Sequence, residues 1–359
     1  MFLKKEGIDV IQRLKMKILV TGGAGFIGSN VAEYYASKDN EVIVIDNLSR
    51  AKLLQQGSHE IDYTWNFLKK IKNITIVKED IRNSAKILPY FKDVDTVFHA
   101  AAQTAVTTSV TDPETDFTTN ALGTFNVLEA CRKNNVKNVV YCSTNKVFGN
   151  NVNNVGVVEN KTRYSFEKKY ASGIKEDFSI DHCEHTPYGS SKLTGDIYMQ
   201  DYHHMYGLKT GVFRMSCIYG TRQFGFADQG WLAWFAIATI TGKPITIFGD
   251  GKQVRDILFV TDLIQAYDKF VSSKLKHGVY CMGGGQDYTL SLLELLDLLE
   301  EFTGKRSKIS FSDWRPSDQK VFIADTTKAK KELGWKPVVD PRTGVKKLVD
   351  WTTENKGLF

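Results

Sequence analysis

The chain has 359 residues, 42% of them hydrophobic and 25% charged, with a formal net charge of +6. That length can bury a large core in two domains or one elaborate one, and the composition excludes a fibrous or disordered chain. The small positive charge fits an anionic small substrate as well as a weak nucleic-acid preference, but no basic run with interleaved aromatics marks a nucleic-acid face.

Cys131, Cys142, Cys183, Cys217 and Cys281 are odd in number and far apart. With no C-x-x-C and no zinc spacing, they read as reduced thiols of a cytoplasmic protein with no metal site. No signal peptide and no membrane span are expected. Residues 1–15 mix charge and hydrophobes and read as a short helix or an N-terminal extension.

The first strong signal is Lys17–Gly28, KILVTGGAGFIG. A short apolar run, a glycine turn and an amphipathic helix follow one another, as a parallel strand feeding a pyrophosphate-facing turn requires. Gly22, Gly25 and Gly28 are spaced G-x-x-G-x-x-G, one residue wider at the first gap than G-x-G-x-x-G. Gly22 would allow the tight turn, Gly25 the approach of a cofactor, and Gly28 the packing of helix on strand. The helix is expected over Ser29–Ser37, with Val31, Tyr34 and Tyr35 on one face. The strand Glu41–Asp46 then ends in an acid about 20 residues past the glycines, where a carboxylate can take the adenosine ribose hydroxyls. That favours NAD over NADP, although Arg50 leaves room for a 2′-phosphate.

Residues 51–73 read as a helix or a variable loop. Strands follow at Ile74–Ile81 and Asp95–Ala102, the second with small residues that let a cofactor lie against the backbone. A helix over Asn120–Lys133 leads to the strand Val139–Thr144. Strands alternating with helices describe an α/β, doubly wound parallel sheet, with its ligand at the carboxyl ends of the strands. Residues 150–184 are polar and longer than a usual connection, which suggests a functional loop or cover near the site. Beyond a strand at Val212–Arg214, an apolar stretch at Phe224–Ile240 reads as helix and wall of a substrate domain. A turn at Gly249–Gly251, a strand at Asp256–Val260 and a helix at Asp262–Ser272 come next. Short strands and amphipathic helices fill the remainder, Leu290–Phe302 being the clearest helix.

The second signal is Tyr188-Gly189-Ser190-Ser191-Lys192, a Y-x-x-x-K inside a helical stretch from Tyr188 to Tyr206. Residues at i and i+4 share a face, so phenol and ammonium can address one site. A free tyrosine, with a pKa of about 10, is a poor base at neutral pH. A neighbouring ammonium and a positive nicotinamide stabilise the phenolate, so that it can exchange a proton with a substrate hydroxyl.

At this point the chain resembles the extended short-chain dehydrogenase/reductase family of nucleotide-sugar enzymes. The resemblance runs from Met16 onward, through Thr21–Gly28, Asp46, Asp80-Ile81, His99–Ala102, Ser143–Gly149, Tyr188–Lys192 and Val254–Asp256. It implies a Rossmann domain over 16–214, with 252–272 returning to it, and a smaller mixed α/β nucleotide-sugar domain over 215–359. It implies bound NAD+, with Gly22, Gly25, Phe26 and Ile27 at the turn, Asp46 and Asn47 at the adenosine ribose, Asp80 and Ile81 at the adenine, and Ala100 and Ala101 along its side. Thr144 would hydrogen-bond the reacting hydroxyl, Tyr188 would be the acid/base, and Lys192 would hold the nicotinamide ribose and tune Tyr188. Asn145, Lys146, Cys217, Arg222 and Gln223 would pose the sugar, and Arg255 and Arg315 would bind the pyrophosphate, a task suited to an arginine fork.

Within the family, the dehydratase branch carries an acid pair directly after the threonine, where this chain has Asn145-Lys146. Cys217 stands where the family pattern has asparagine. Ser143–Gly149, Gly220–Phe224 running on to Asp228–Trp231, and Gly249–Asp256 look closest to the epimerases that convert CDP-paratose to CDP-tyvelose at C2. The reaction this implies is an epimerisation through a transient keto sugar, without net redox change. The alternatives are a UDP-sugar 4-epimerase, a nucleotide-sugar reductase, or a silent NAD-sensing module, the last disfavoured by Thr144, Tyr188 and Lys192 together. The expected partners are a CDP- or UDP-sugar and a second copy of the chain in a dimer or tetramer, with neither nucleic acid nor membrane.

Overall fold

A computed structural model describes residues 15–50, 59–315 and 318–359. The N-terminal extension, except for its last residue, lies outside the described residues, as does 51–58.

The run Lys17–Thr21 forms β1, with Ile18, Leu19 and Val20 all buried. A strand so apolar on both faces belongs inside a parallel sheet with helices on each side. In chain order there follow α1 (Phe26–Ala36), β2 (Glu41–Asp46), α2 (His59–Lys69), β3 (Ile74–Lys78) and β4 (Thr96–His99). Next come α3 (Val106–Thr111), α4 (Pro113–Phe117), α5 (Gly123–Lys133) and β5 (Asn138–Thr144). A short hairpin of β6 (Val157–Glu159) and β7 (Tyr164–Phe166) precedes α6 (Thr186–Tyr206), β8 (Lys209–Met215) and β9 (Cys217–Tyr219). The remainder holds α7 (Trp231–Thr241), β10 (Ile245–Phe248), β11 (Val254–Phe259), α8 (Val260–Ser272) and β12 (His277–Met282). It continues with β13 (Thr289–Ser291), α9 (Leu292–Thr303), β14 (Ile309–Ser312), β15 (Val321–Phe322) and α10 (Pro341–Glu354).

Seven parallel strands form the main sheet in the order β12-β8-β5-β4-β1-β2-β3. The strand order reverses between β1 and β4, and a doubly wound sheet opens its ligand crevice at that point. On one face Val31 and Tyr35 of α1 pack with Phe98, Phe213 and Tyr267. On the other, Leu128 of α5 and Met199 of α6 pack with Leu19, Val97 and Tyr141.

The smaller part is centred on β11, which pairs with β9 and β15 in parallel and with β13 antiparallel. The return to the main sheet differs from the sequence reading. β12 pairs with β8 from His277↔Thr210 to Met282↔Met215, so the chain re-enters the main sheet beyond residue 272. This strand is buried along nearly its whole length, and only its neighbour across the sheet reveals its place. Conversely, β11 belongs to the smaller sheet, and α8 is the part of 252–272 that covers the larger one. The segment 150–184 has a core of its own, in which Val152, Tyr164, Phe166 and Ile174 pack with Phe148 and Phe322.

Candidate active site

The turn after β1 is shaped by what lies against it. Gly22 has φ of +67°, and a Cβ there would stand 2.5 Å from the Ala101 nitrogen. A Cβ on Gly28 would fall 2.2 Å from the Gly22 oxygen, so helix and turn pack with no space between them. Gly25 is different: its Cβ would meet only the Gly22 oxygen, at 3.2 Å. Its bare side opens on a cleft of about 400 Å³, which Gly22, Gly25, Phe26, Ile27, Asp46, Asn47, Ile81, Ala100 and Ala101 all line. No side chain caps α1, so the first amides of the helix remain available to an anion.

Asp46 ends β2 with both carboxylate oxygens held, Oδ2 by the Ala24 amide at 2.9 Å and Oδ1 by the Leu48 amide at 2.8 Å. Burial pushes its pKa up, against the pull of those two amides and of Arg50. Asp80 does not itself line the cleft, although its neighbours Glu79, Ile81 and Arg82 do. Against the penalty of burial, a fork of hydrogen bonds from Arg82 and a 2.8 Å bond from Asn47 hold its carboxyl down at about 2. Uncapped amides, an acid at the strand end and a wall of alanines together fit a dinucleotide.

Tyr188 and Lys192 lie one turn apart on α6, both buried, and Thr144 ends the adjacent β5. Burial raises the Tyr188 phenol to about 12, while a hydrogen bond with Thr144 draws it back. Burial also lowers the Lys192 ammonium to about 8, opposed by Cys142, Asp196 and Asp116. A positive charge bound beside the phenol would bring it toward a working range. His99 is a structural group here: its ring nitrogens meet Thr21 at 2.7 Å and Thr124 at 2.8 Å, and burial drops its pKa to about 3, so it stays neutral.

A second polar group extends from Thr144 into the smaller part of the molecule. Thr144 donates to Asn145 Oδ1 at 3.3 Å, and Asn145 Nδ2 donates to Gln319 Oε1 at 3.2 Å. Arg255 pairs with Asp318 at 2.8 Å. The Lys146 ammonium is lowered by burial and feels Asp318, Arg255 and Cys217. Trp231 donates its indole hydrogen to the Cys217 sulfur at 3.2 Å. Gln223 lines the dinucleotide cleft, and Arg315 binds Asp228 at 2.8 Å while stacking on Phe248.

Arg222 departs from the group. Its guanidinium is turned onto α1, 2.8 Å from Asn30 Oδ1 and 2.6 Å from Glu33 Oε2, and it covers the Phe67 ring. The residue has φ of +62°, a backbone twist that directs the chain toward α1. Arg222 is therefore seen strapping the two parts of the molecule together instead of lining the sugar wall.

The NAD dependent epimerase/dehydratase family model matches residues 18–283. The chain is 40% identical over 348 residues to CDP-paratose 2-epimerase of Salmonella typhi, covering 94% of this chain and 99% of that protein. It superposes on the UDP-glucose 4-epimerase of Thermotoga maritima solved with UDP-glucose, with a TM-score of 0.78 at 31% identity, covering 95% and 99% of the two chains. The UDP-glucuronic acid 4-epimerase of Bacillus cereus, solved with UDP-glucuronic acid and NAD, matches with a TM-score of 0.77 at 28% identity, covering 95% and 100%. This chain belongs to the NAD dependent epimerase/dehydratase family.

As a member of that family it uses NAD, and the three relatives just named are epimerases, which are isomerases. Around the core of this epimerase/dehydratase site stand buried groups that sequence reasoning missed. Gln103 and Asn120 each donate to Asp116 Oδ1 at 3.0 Å, and Asn120 also reaches Ser191 on α6 at 3.1 Å. Ser143 donates to Asp196 at 2.6 Å, and Asp196 is gripped on both oxygens by Arg214. Ser143 shows only as polarity at the end of an apolar run, and Asp116 and Asn120 lie in a polar stretch with no signal of burial. Among the described residues no cluster of acids, histidines and cysteines could hold a metal, and no helix is long and apolar enough to cross a membrane.

Proposed function

We propose that the protein epimerises a nucleotide-activated sugar, converting CDP-paratose to CDP-tyvelose at C2. The observation that carries this reading is the buried set of Thr144, Tyr188 and Lys192 beside a dinucleotide cleft, in a chain 40% identical to CDP-paratose 2-epimerase over nearly its whole length. Gly22, Gly25, Phe26 and Ile27 would hold the NAD pyrophosphate, Asp46 and Asn47 the adenosine ribose, Asp80 and Ile81 the adenine, Ala100 and Ala101 its flank, and Lys192 the nicotinamide ribose. When bound, NAD supplies an acceptor that takes a hydride and gives it back. Thr144 orients the sugar hydroxyl, and Tyr188 takes its proton as the carbon is oxidised, then returns it once the keto sugar has presented its other face. Asn145, Lys146, Cys217 and Gln223 pose the sugar, and Arg255 and Arg315 grip the pyrophosphate. Asn145 cannot move a proton, so elimination of water lacks its acid pair here.

The test is to incubate the purified protein, without added NAD, with CDP-paratose and separately with UDP-glucose, and to read the products by NMR. CDP-tyvelose from the first is the expected product; conversion of UDP-glucose alone would make it a 4-epimerase.

We also propose a homodimer through α5 and α6. Leu122, Phe125, Ile197, Tyr198, Met205 and Tyr206 are all exposed, and the Phe125 and Tyr198 rings lie 6.0 Å apart in one apolar patch. A patch of this kind on a folded chain favours association. Light scattering should give twice the chain mass, and Ile197→Glu should halve it. Five free thiols with no disulfide support a cytoplasmic setting.

A further inference from the structure

We infer that Gln319 is a substrate-positioning residue, which joins the sugar to Thr144 through Asn145. The inference rests on the nucleotide-sugar reading above and adds a residue to it. Gln319 is 1% exposed, and its Nε2 has no hydrogen-bond partner. A buried amide donor left unpaired is uncommon, because nothing replaces the water it has lost. Its other side-chain polar atom and its backbone amide are both engaged. Gln319 Oε1 accepts from Asn145 Nδ2 at 3.2 Å, and Asn145 Oδ1 accepts from Thr144 at 3.3 Å. The Gln319 backbone N–H donates to Asp318 Oδ1 at 2.9 Å, and Arg255 donates to that same oxygen at 2.8 Å. One line of contacts thus runs from Thr144, which orients the reacting hydroxyl, to the arginine of the smaller sheet, and Gln319 is its midpoint.

The free end of that line is a donor, and a bound hexose offers hydroxyl and ring oxygens as acceptors. A second role follows from the same geometry. With Gln319 Oε1 holding its Nδ2, Asn145 keeps Oδ1 turned toward Thr144, so loss of Gln319 frees the threonine hydroxyl to rotate. The nucleoside diphosphate half of the ligand is not reached by this amide in the proposal. Its effect should therefore appear only when the sugar is present.

The experiment compares affinities by titration calorimetry for CDP-glucose against CDP, and for UDP-glucose against UDP, on the NAD-containing protein. Gln319→Leu removes both roles. Gln319→Glu keeps the acceptor for Asn145 and removes the donor. Both variants should bind the nucleotide sugar about tenfold or more weakly and the bare diphosphate as before, as expected for one buried hydrogen bond. Gln319→Leu should also lower kcat more than Gln319→Glu, since only the glutamate still holds Asn145. If the unaltered protein does not prefer the sugar form, the functional reading and this inference fall together. If it does and both variants keep that preference, or lose sugar and diphosphate affinity equally, the inference alone is overturned.

Discussion

The Lys192 ammonium lies 4.0 Å from the centre of the Tyr141 ring, and Tyr141 donates its phenol hydrogen to the Lys192 carbonyl at 3.3 Å. The aromatic face thus holds the charge from one side. Burial lowers this lysine to about 8. Its charge is therefore nearly full at pH 7 and falls as the pH rises through about 8. NAD affinity of the stripped protein should weaken over that range, where an unperturbed lysine would keep its charge. Lys192→Met should bind NAD weakly at every pH and show no such slope. Fluorescence titration from pH 6.5 to 9.5 measures both.

Tyr188→Phe removes the phenol hydroxyl and leaves the ring in its buried place. Proton transfer by a positioned side chain is worth about 10²- to 10⁴-fold, and epimerisation should fall by that much. The cofactor content of the purified protein, read by absorbance after denaturation, should stay at the wild-type level. Epimerisation near the normal rate would remove Tyr188 from the mechanism.

The elements legible in the sequence are those whose chemistry is local. Gly22, Gly25 and Gly28 do three different jobs within seven residues, and Asp46 follows at the end of the next strand. Tyr188 and Lys192 need only one helical turn to be read as a pair. Gln319 and Asn145 are 174 positions apart, and neither carries any local sign of the other. Asp116 looks like an ordinary surface acid of a short helix, yet it is fully buried under Gln103 and Asn120. Arg222 shows the same limit from the other side: its place in the sequence suggests the sugar wall, but its guanidinium lies on Asn30 and Glu33 of α1. β12 was illegible as a sheet strand for a similar reason, since its partner β8 lies some 67 residues earlier in register.

Arg214 and Asp196 form a buried ion pair, 6% and 0% exposed, with contacts of 3.0 Å to both carboxylate oxygens. Asp196 sits one turn past Lys192 and also accepts from Ser143, the residue before Thr144. Asp196 thus ties the helix of Tyr188 to β8 through Arg214 and to the strand of Thr144 through Ser143. Arg214→Met leaves the carboxylate buried without its partner and should cost about 3–5 kcal/mol. The double variant Asp196→Leu/Arg214→Met should recover much of that loss, because no charge is then stranded. Urea unfolding of the three proteins tests this.

Asp256 gives the fold a pH dependence of its own. It is fully buried, and Oδ2 accepts from the Gly285 amide at 3.2 Å and the Ala324 amide at 3.0 Å, while Oδ1 has no partner. Burial raises its pKa to about 7, against the pull of Ser216 and those amides. The folded value is above the unfolded one, so this group's stabilising contribution is complete below about pH 4 and is lost as the pH rises through about 7. Asp256→Asn can keep an oxygen toward the two amides and place its NH2 where Oδ1 stood. Relative to the variant, the wild type should lose stability by a few kcal/mol between pH 5 and 8, as read by urea midpoints.

Gly25 and Gly28 separate cofactor binding from folding. A Cβ at Gly28 strikes the Gly22 oxygen at 2.2 Å and the Gly23 Cα at 2.7 Å, both backbone atoms that cannot turn away. Gly28→Ala should therefore lower the melting temperature, because it forces α1 off the turn. At Gly25 the nearest protein atom is 3.2 Å away and the backbone φ is −77°, which alanine adopts without strain. Gly25→Ala should melt near the wild-type temperature once both proteins are stripped of NAD. Its methyl would nonetheless occupy the side of the turn that opens on the cleft, where a pyrophosphate must approach the α1 amides. The variant should accordingly be purified with little NAD and bind added NAD at least about tenfold more weakly. Calorimetric melting and NAD titration of both variants, side by side, decide whether these two glycines have the separate duties their surroundings assign them.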